Sequence, residues 1–157
     1  MKLAVYQANG FYLLNGVGEG GLREYGLAAV SCVKGDYLIP DAAGNVTNTA
    51  TAVQAAAVGI AAESVDNSAG AAGAKKVKVI PLDMKYQFSV PVEAAALVAG
   101  ANVGETYDLE SNGSIDLSDT AITAGHIGFM IDDYDASAEA VSANTYGYAI
   151  GHFQVEE

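Results

Sequence analysis

The chain has 157 residues, which suits one compact domain or two very small ones, and 51% of them are hydrophobic. Its net charge of −12 excludes nucleic acids and anionic membranes as expected partners, because the chain repels their negative charge. The single cysteine, Cys32, excludes an intrachain disulfide. No apolar run approaches the roughly 20 residues of a membrane helix, and the N-terminal sequence carries no signal-peptide core.

The segment 1–24 is predicted to form a glycine-rich N-terminal arm. Its part 15–21 includes four glycines, and glycine loses more conformational freedom on ordering than any other residue. This segment is therefore not expected to hold a structure alone. We expect residues 1–24 to become ordered against a neighbouring subunit or another partner.

Short alternating segments separated by glycine turns predict an all-β fold with one or two short helices. The strand predictions in chain order are 77–82, 86–90, 114–117, 127–131 and 146–150. Pro81 is expected to end the first of these or to mark a sheet edge, because proline cannot donate to a ladder. The helical segments are 93–98, which has strong helix formers with an acid in the first turn, and, more weakly, 52–57.

An internal repeat appears when the chain is shifted against itself so that position 35 falls on position 104. The superimposed glycine pairs are Gly35 with Gly104, Gly44 with Gly113, and Gly59 with Gly128. The pattern predicts a duplication, with a first β unit at 25–88 and a second, acidic β unit at 89–157. Each is expected to be a small β-barrel or β-sandwich. Since units of this size bury little surface alone, the two should share a core or pack as paired barrels.

The charges are unevenly divided along the chain. All seven lysines and arginines fall within positions 1–85 together with seven acids, whereas positions 86–157 hold twelve acids and neither Lys nor Arg. Desolvating unpaired carboxylates costs several kcal/mol each. We therefore expect the segment 1–40 to supply most docking contacts and the loops at 105–139 to face solvent.

No constellation typical of catalysis is present, so we expect no enzymatic activity, no cofactor and no metal. His126 and His152 are the only histidines, 26 positions apart, and no serine or cysteine has the context of a nucleophile. The cluster Asp132, Asp133 and Asp135 could offer oxygens to calcium, but the EF-hand spacing is missing, and a solvated loop is the simpler reading. A small hydrolase using His126 or these aspartates stays as a minor alternative.

Several short segments carry a resemblance to a known family. They are KGDYL at 34–38, DAAGNV at 41–46, AVGIA at 57–61, LVAGANVG at 97–104, NGSI at 112–115 and IGF at 127–129. Their succession resembles that of small capsid decoration, or cement, proteins of tailed bacteriophages, over roughly residues 25–157. The resemblance implies short strands in a β-rich lobe and an extended N-terminal arm that lies against the shell. A full duplication departs from the simplest single-lobed members, which leaves the stoichiometry on a capsid open.

The resemblance implies a head-stabilising structural virion protein, made in the host cytoplasm and placed on the capsid exterior. Its expected partners are the major capsid protein lattice and further copies of itself in a homotrimer, with no nucleic acid and no membrane. The alternative is a phage tail or fibre component, or a β-rich carbohydrate-binding adhesin. The expected capsid or subunit contact residues are Tyr6, Phe11, Tyr12, Leu22, Arg23, Tyr25 and Lys34.

Overall fold

The computed structural model describes residues 10–14, 21–48, 58–82, 86–93, 101–107, 115–117, 127–135 and 148–155. These residues form short strands joined by turns, which confirms the predicted all-β fold. The strands are β1 (Tyr12–Leu13), β2 (Arg23–Gly26), β3 (Ser31–Cys32), β4 (Tyr37–Pro40), β5 (Val46–Thr47), β6 (Gly59–Ala61), β7 (Val65–Asp66), β8 (Lys76–Pro81), β9 (Phe88–Glu93), β10 (Thr106–Tyr107), β11 (Ile115–Asp116), β12 (Ile127–Asp135) and β13 (Tyr148–Val155).

Most strands belong to two antiparallel sheets. The first sheet has the order β2-β8-β6-β4-β5. Leu27, directly after β2, forms a parallel bridge with Val46 of β5, so the two ends of this order meet and the sheet curls on itself. The second sheet runs β1-β9-β13-β12-β10, and β11 pairs in parallel with β9. β3 and β7 form a separate two-stranded ribbon.

The two sheets share one pairing scheme. In the first, β2 makes four antiparallel pairs with β8, and the next residue, Leu27, bridges Val46 in parallel. In the second, β9 makes four antiparallel pairs with β13, and its next residue, Val92, pairs in parallel with Ile115. Val46 and Ile115 are superimposed by the same shift that superimposes the glycines. The duplication itself stays a prediction, because the same shift places Ile80, the partner of Ile60, on Ala149 and not on Phe153, the partner of Phe129.

The alternation of polar and apolar residues along the sequence explains why such segments form strands with one buried face. In β8, Lys76 and Lys78 are exposed whereas Val77 and Val79 are fully buried, and the strand ends at Pro81 as expected. β9 differs from the half-buried strand predicted for 86–90, because residues 88–92 are all buried. It lies inside the second sheet with partners on both edges, so both of its faces and both of its edges are covered.

The larger core lies between the two sheets. Each sheet contributes a row of three side chains whose backbones pair across neighbouring strands. The row of the first sheet is Tyr37, Ile60 and Ile80, and that of the second sheet is Tyr107, Phe129 and Phe153. Both rows belong to the same buried cluster, so the two sheets share a core.

The other face of the first sheet encloses a smaller core. Its buried members are Leu27, Cys32, Leu38, Val46, Ala61, Val77 and Val79. Cys32 is a buried free thiol, and desolvation by burial raises its pKa. A raised pKa leaves the thiol protonated and unreactive at neutral pH, which fits a packing role.

The turns before β4 and β10 need a left-handed residue. Gly35 has a φ of 98° and Gly104 a φ of 88°, a region that L side chains rarely adopt. These two glycines are superimposed by the shift that reveals the repeat. Equivalent strands in the two sheets are therefore entered through the same kind of turn.

The structure describes only parts of the predicted helices and of the predicted arm. Of the predicted helix at 93–98, Glu93 is the last residue of β9, whereas 94–98 and the helix at 52–57 lie outside the described residues. The described parts of the predicted arm, 10–14 and 21–24, do not stand apart from the molecule. They join the second and the first sheet respectively, because their backbones pair with β9 and β8.

Candidate interaction surface

The N-terminal segment 10–14 hydrogen-bonds to the turn before β4 and to the residue before β9. The Phe11 amide donates to the Gly35 carbonyl oxygen at 2.9 Å, and the Leu14 amide donates to the Gln87 carbonyl oxygen at 2.8 Å. Gly10 has a φ of 75°, and a Cβ there would meet the Gly35 backbone at 2.6 Å. Glycine is required at this close approach, so the sequence Gly10-Phe11 fixes where the segment enters the core.

Phe11 is a core residue and not a surface contact. Its side chain is 2% exposed, and its ring centroid lies 4.8 Å from that of Phe153, 5.4 Å from Phe129 and 6.4 Å from both Phe88 and Tyr37. The ring fills the space between the two sheets. Sequence reasoning placed it in a docking arm because the glycines that follow it hid its role.

Tyr12 and Lys34 are brought together. The Lys34 Nζ lies 5.9 Å from the centre of the Tyr12 ring, a cation–π distance. Next to them in the chain, Leu14 is 37% exposed and Val33 is 56% exposed. We call Tyr12, Leu14, Val33 and Lys34 the N-terminal patch. Two of the three large hydrophobic side chains that the described residues expose belong to it.

The loop that carries Val33 and Lys34 is held by side chains. The Val33 amide donates to Oδ2 of Asp36 at 2.9 Å, and the Lys34 amide donates to the Ser64 hydroxyl at 2.9 Å. Asn48 Nδ2 donates to the same Asp36 oxygen at 2.8 Å. The patch therefore stands on a preorganised turn, which lowers the entropy cost of binding.

The remaining predicted contact residues lie at β2. Leu22 and Tyr25 are half-buried, the former against the larger core and the latter against the smaller one, whereas Arg23 is exposed. Glu24 is exposed beside it, and its carboxylate pairs with Lys76 Nζ at 3.0 Å. Tyr6 lies outside the described residues.

The acidic segment of β12 makes a different surface. β12 has an irregular register between Ile131 and Asp133 opposite β13, and Asp132 lies at this bulge. The Asp132 carboxylate is 3.0 Å from His152 Nδ1 and accepts a 3.4 Å hydrogen bond from Gln87 Nε2. Within the described ranges, no group of three or more His, Cys, Asp or Glu side chains is placed to hold a metal ion. His126 lies outside them.

No protein-family model matches the chain, and no curated protein matches it significantly. Among the residues that the structure describes, no helix is long and apolar enough to cross a membrane.

Proposed function

We propose that the protein is a non-enzymatic structural virion protein that binds the outer surface of a tailed-phage capsid and stabilises it. The observation that carries the proposal is the N-terminal patch, where the exposed apolar side chains of Leu14 and Val33 lie within two residues of the Tyr12–Lys34 contact in the chain. Exposed apolar side chains rimmed by polar ones are typical of protein–protein contacts. The sequence resemblance to decoration proteins supplies the partner.

The charge distribution supports a defined orientation. The carboxylates of Glu105 and Asp133 in the second half of the chain are exposed, and residues 86–157 contain no lysine or arginine that could pair with them. Docking this surface would bury unpaired charge at a cost of several kcal/mol for each carboxylate. The first sheet and the N-terminal patch therefore face the shell, and the side of the second sheet that carries Glu105 and Asp133 faces solvent.

The capsid-bound form is proposed to be a trimer at three-fold or quasi-three-fold points of the lattice. A closed cyclic oligomer matches the symmetry of such points, so every copy makes the same contacts with the shell. Imaging of decorated capsids by electron microscopy tests this stoichiometry directly, since density for one copy or two at these points would contradict a trimer.

The proposal is tested by co-sedimentation with capsids assembled from the major capsid protein of the same phage. We expect the wild-type chain to pellet with expanded capsids in a saturable manner. Val33→Asp should weaken binding at least tenfold, because it places a charge in the apolar contact. Val103→Asp is the matched control, since Val103 is exposed by 39% but lies in the second half. Absence of wild-type binding, or equal binding of the two variants, would contradict the proposal.

The adhesin alternative has less support. Every tyrosine and phenylalanine within the described ranges is buried or half-buried, so these residues offer no fully exposed aromatic platform for a sugar ring. Glycan binding by the isolated protein, lost on substitution of Tyr12 or Tyr134, would favour that alternative over capsid decoration.

A further inference from the structure

Strand β2 has one edge that is not paired along Arg23–Tyr25 with any described residue. On one side, β2 pairs with β8, and the ladder continues as the Leu27 amide donates to the Lys75 carbonyl at 2.8 Å. The Ala28 amide donates to Val46 on the opposite side at 2.9 Å. Because backbone groups alternate in direction along a strand, the Glu24 amide and carbonyl point to the same side as Ala28, away from β8.

The equivalent edge in the second sheet is covered. The shared pairing scheme makes Arg23 equivalent to Phe88 and Glu24 equivalent to Ser89. There, β1 adds antiparallel to β9, with Tyr12 opposite Ser89. Phe88 is 0% and Ser89 is 1% exposed.

The side chains along these two edges differ in exposure. Arg23 and Glu24 are exposed although their equivalents are buried. In the second sheet, a short antiparallel strand, β1, covers the edge that is equivalent to this edge of β2. A short antiparallel strand is therefore the kind of element that would cover the edge of β2.

We propose that this edge of β2, which we call the open edge because no described residue pairs with it along Arg23–Tyr25, is a strand-addition site that receives an extended segment of the capsid protein, bonded to the main chain of Glu24. The inference rests on the proposed function for the identity of the partner. Main-chain pairing of an added strand provides affinity, and side chains provide specificity.

The charges along this edge indicate which charge the added strand should carry. Glu24 is already paired with Lys76, whereas no described residue pairs with the Arg23 guanidinium. The added strand should therefore carry an aspartate or glutamate near Arg23.

A second copy of β2 fits poorly. Two β2 strands could pair antiparallel through the outward-pointing main-chain groups of Glu24. One such register places Glu24 opposite Glu24 and another places Arg23 opposite Arg23, and directly opposed like charges destabilise a sheet. The expected occupant is thus a strand of another sequence.

The test uses Glu24→Pro and Glu24→Ala in the full chain with assembled capsids. Both lose the ion pair with Lys76, but only proline removes the outward-pointing amide, and proline is tolerated where that amide faces solvent. We expect Glu24→Ala to bind within about twofold of wild type and Glu24→Pro at least tenfold more weakly. Equal binding by the two variants would overturn strand addition.

Amide exchange supplies a second readout that requires no substitution. The Glu24 amide of the wild-type chain should exchange quickly in the free protein and at least tenfold more slowly on capsids. Unchanged exchange on capsids would overturn the inference even if Glu24→Pro fails to fold. If wild type does not bind capsids, the proposed function itself fails. If the amide becomes protected on self-association without capsids, the occupant is a second copy and the capsid assignment is wrong.

Discussion

Single side chains connect the two sheets, and Phe11 is the clearest case. Its ring is the only contribution of the N-terminal segment to the aromatic cluster described here, and it touches rings that come from β9, β12 and β13. A residue from the start of the chain thereby closes a core built mostly from its second half.

Replacing Phe11 by alanine should lower the free energy of unfolding by about 3–5 kcal/mol, the usual cost of removing a buried phenylalanine ring. Urea unfolding followed by circular dichroism measures the change. The control is Tyr12→Ala, which removes a half-buried ring at the neighbouring position and should cost clearly less. If the two substitutions cost the same, Phe11 does not fill the space between the sheets.

The turn carboxylates Asp41 and Asp66 make stability depend on pH in the acid range. Desolvation raises the pKa of Asp41, but hydrogen bonds from Asn45, Ala43 and Gly44 outweigh it and lower the value below 3.8. Hydrogen bonds from Ser68 lower the pKa of Asp66. Since the folded pKa values lie below the unfolded ones, this stabilisation is present above pH 3.8 and is lost as the pH falls through the folded values.

Thermal melts between pH 2.5 and pH 7 test this linkage. The melting temperature of wild type should fall as the pH drops below about 4. Asp66→Asn should melt lower than wild type at pH 7, and the difference should shrink at pH 2.5. A constant difference across the range would show that Asp66 does not stabilise through its ionised form.

At the scale of the strands, close backbone approach fixes how β12 and β13 pair. A Cβ at Gly151 would collide with the Met130 carbonyl oxygen and would also press on the Phe129 ring. Gly151→Ala should therefore destabilise the protein by about 1–3 kcal/mol, the cost of overpacking. Ser31→Ala, at an exposed strand position, should change stability by less than about 0.5 kcal/mol. Equal melting temperatures for the two variants would contradict this account.

The strands that the sequence predicted best are those with clear alternation or with tight glycine turns. The alternation of Val77 and Val79 with lysines predicts β8, and Gly35 predicts the turn into β4, because both signals are local in the sequence. Phe11 could not be assigned to the core, because the phenylalanines that it contacts lie in β9, β12 and β13, far along the chain, and no local pattern encodes them. The meeting of Tyr12 with Lys34, and the open edge at Glu24, likewise depend on pairings between distant segments.

For the whole molecule, the proposed orientation on a capsid rests on keeping the exposed carboxylates of the second half hydrated. Glu105→Gln combined with Asp133→Asn removes two exposed carboxylates from the second half and spares the Asp132–His152 contact. We expect this variant to bind capsids within about twofold of wild type, whereas Leu14→Asp should bind at least tenfold more weakly. The opposite ranking would reverse the orientation. Deleting residues 1–20 is a poor test of docking by the N-terminal segment, because the deletion also removes Phe11 from the core.

The position of β13 has a consequence for synthesis. It comes later in the chain than every other described strand, yet it lies in the middle of the second sheet between β9 and β12. Domains fold as their chains emerge from the ribosome, N-terminal parts first. All strands of the first sheet have been synthesised once residue 81 has left the ribosome. The second sheet, and the aromatic core that surrounds Phe11, can form only after residue 155 has been synthesised. An incompletely translated chain would therefore have every strand of the first sheet available for pairing, whereas Phe11 would lack the rings of β12 and β13 that it packs against.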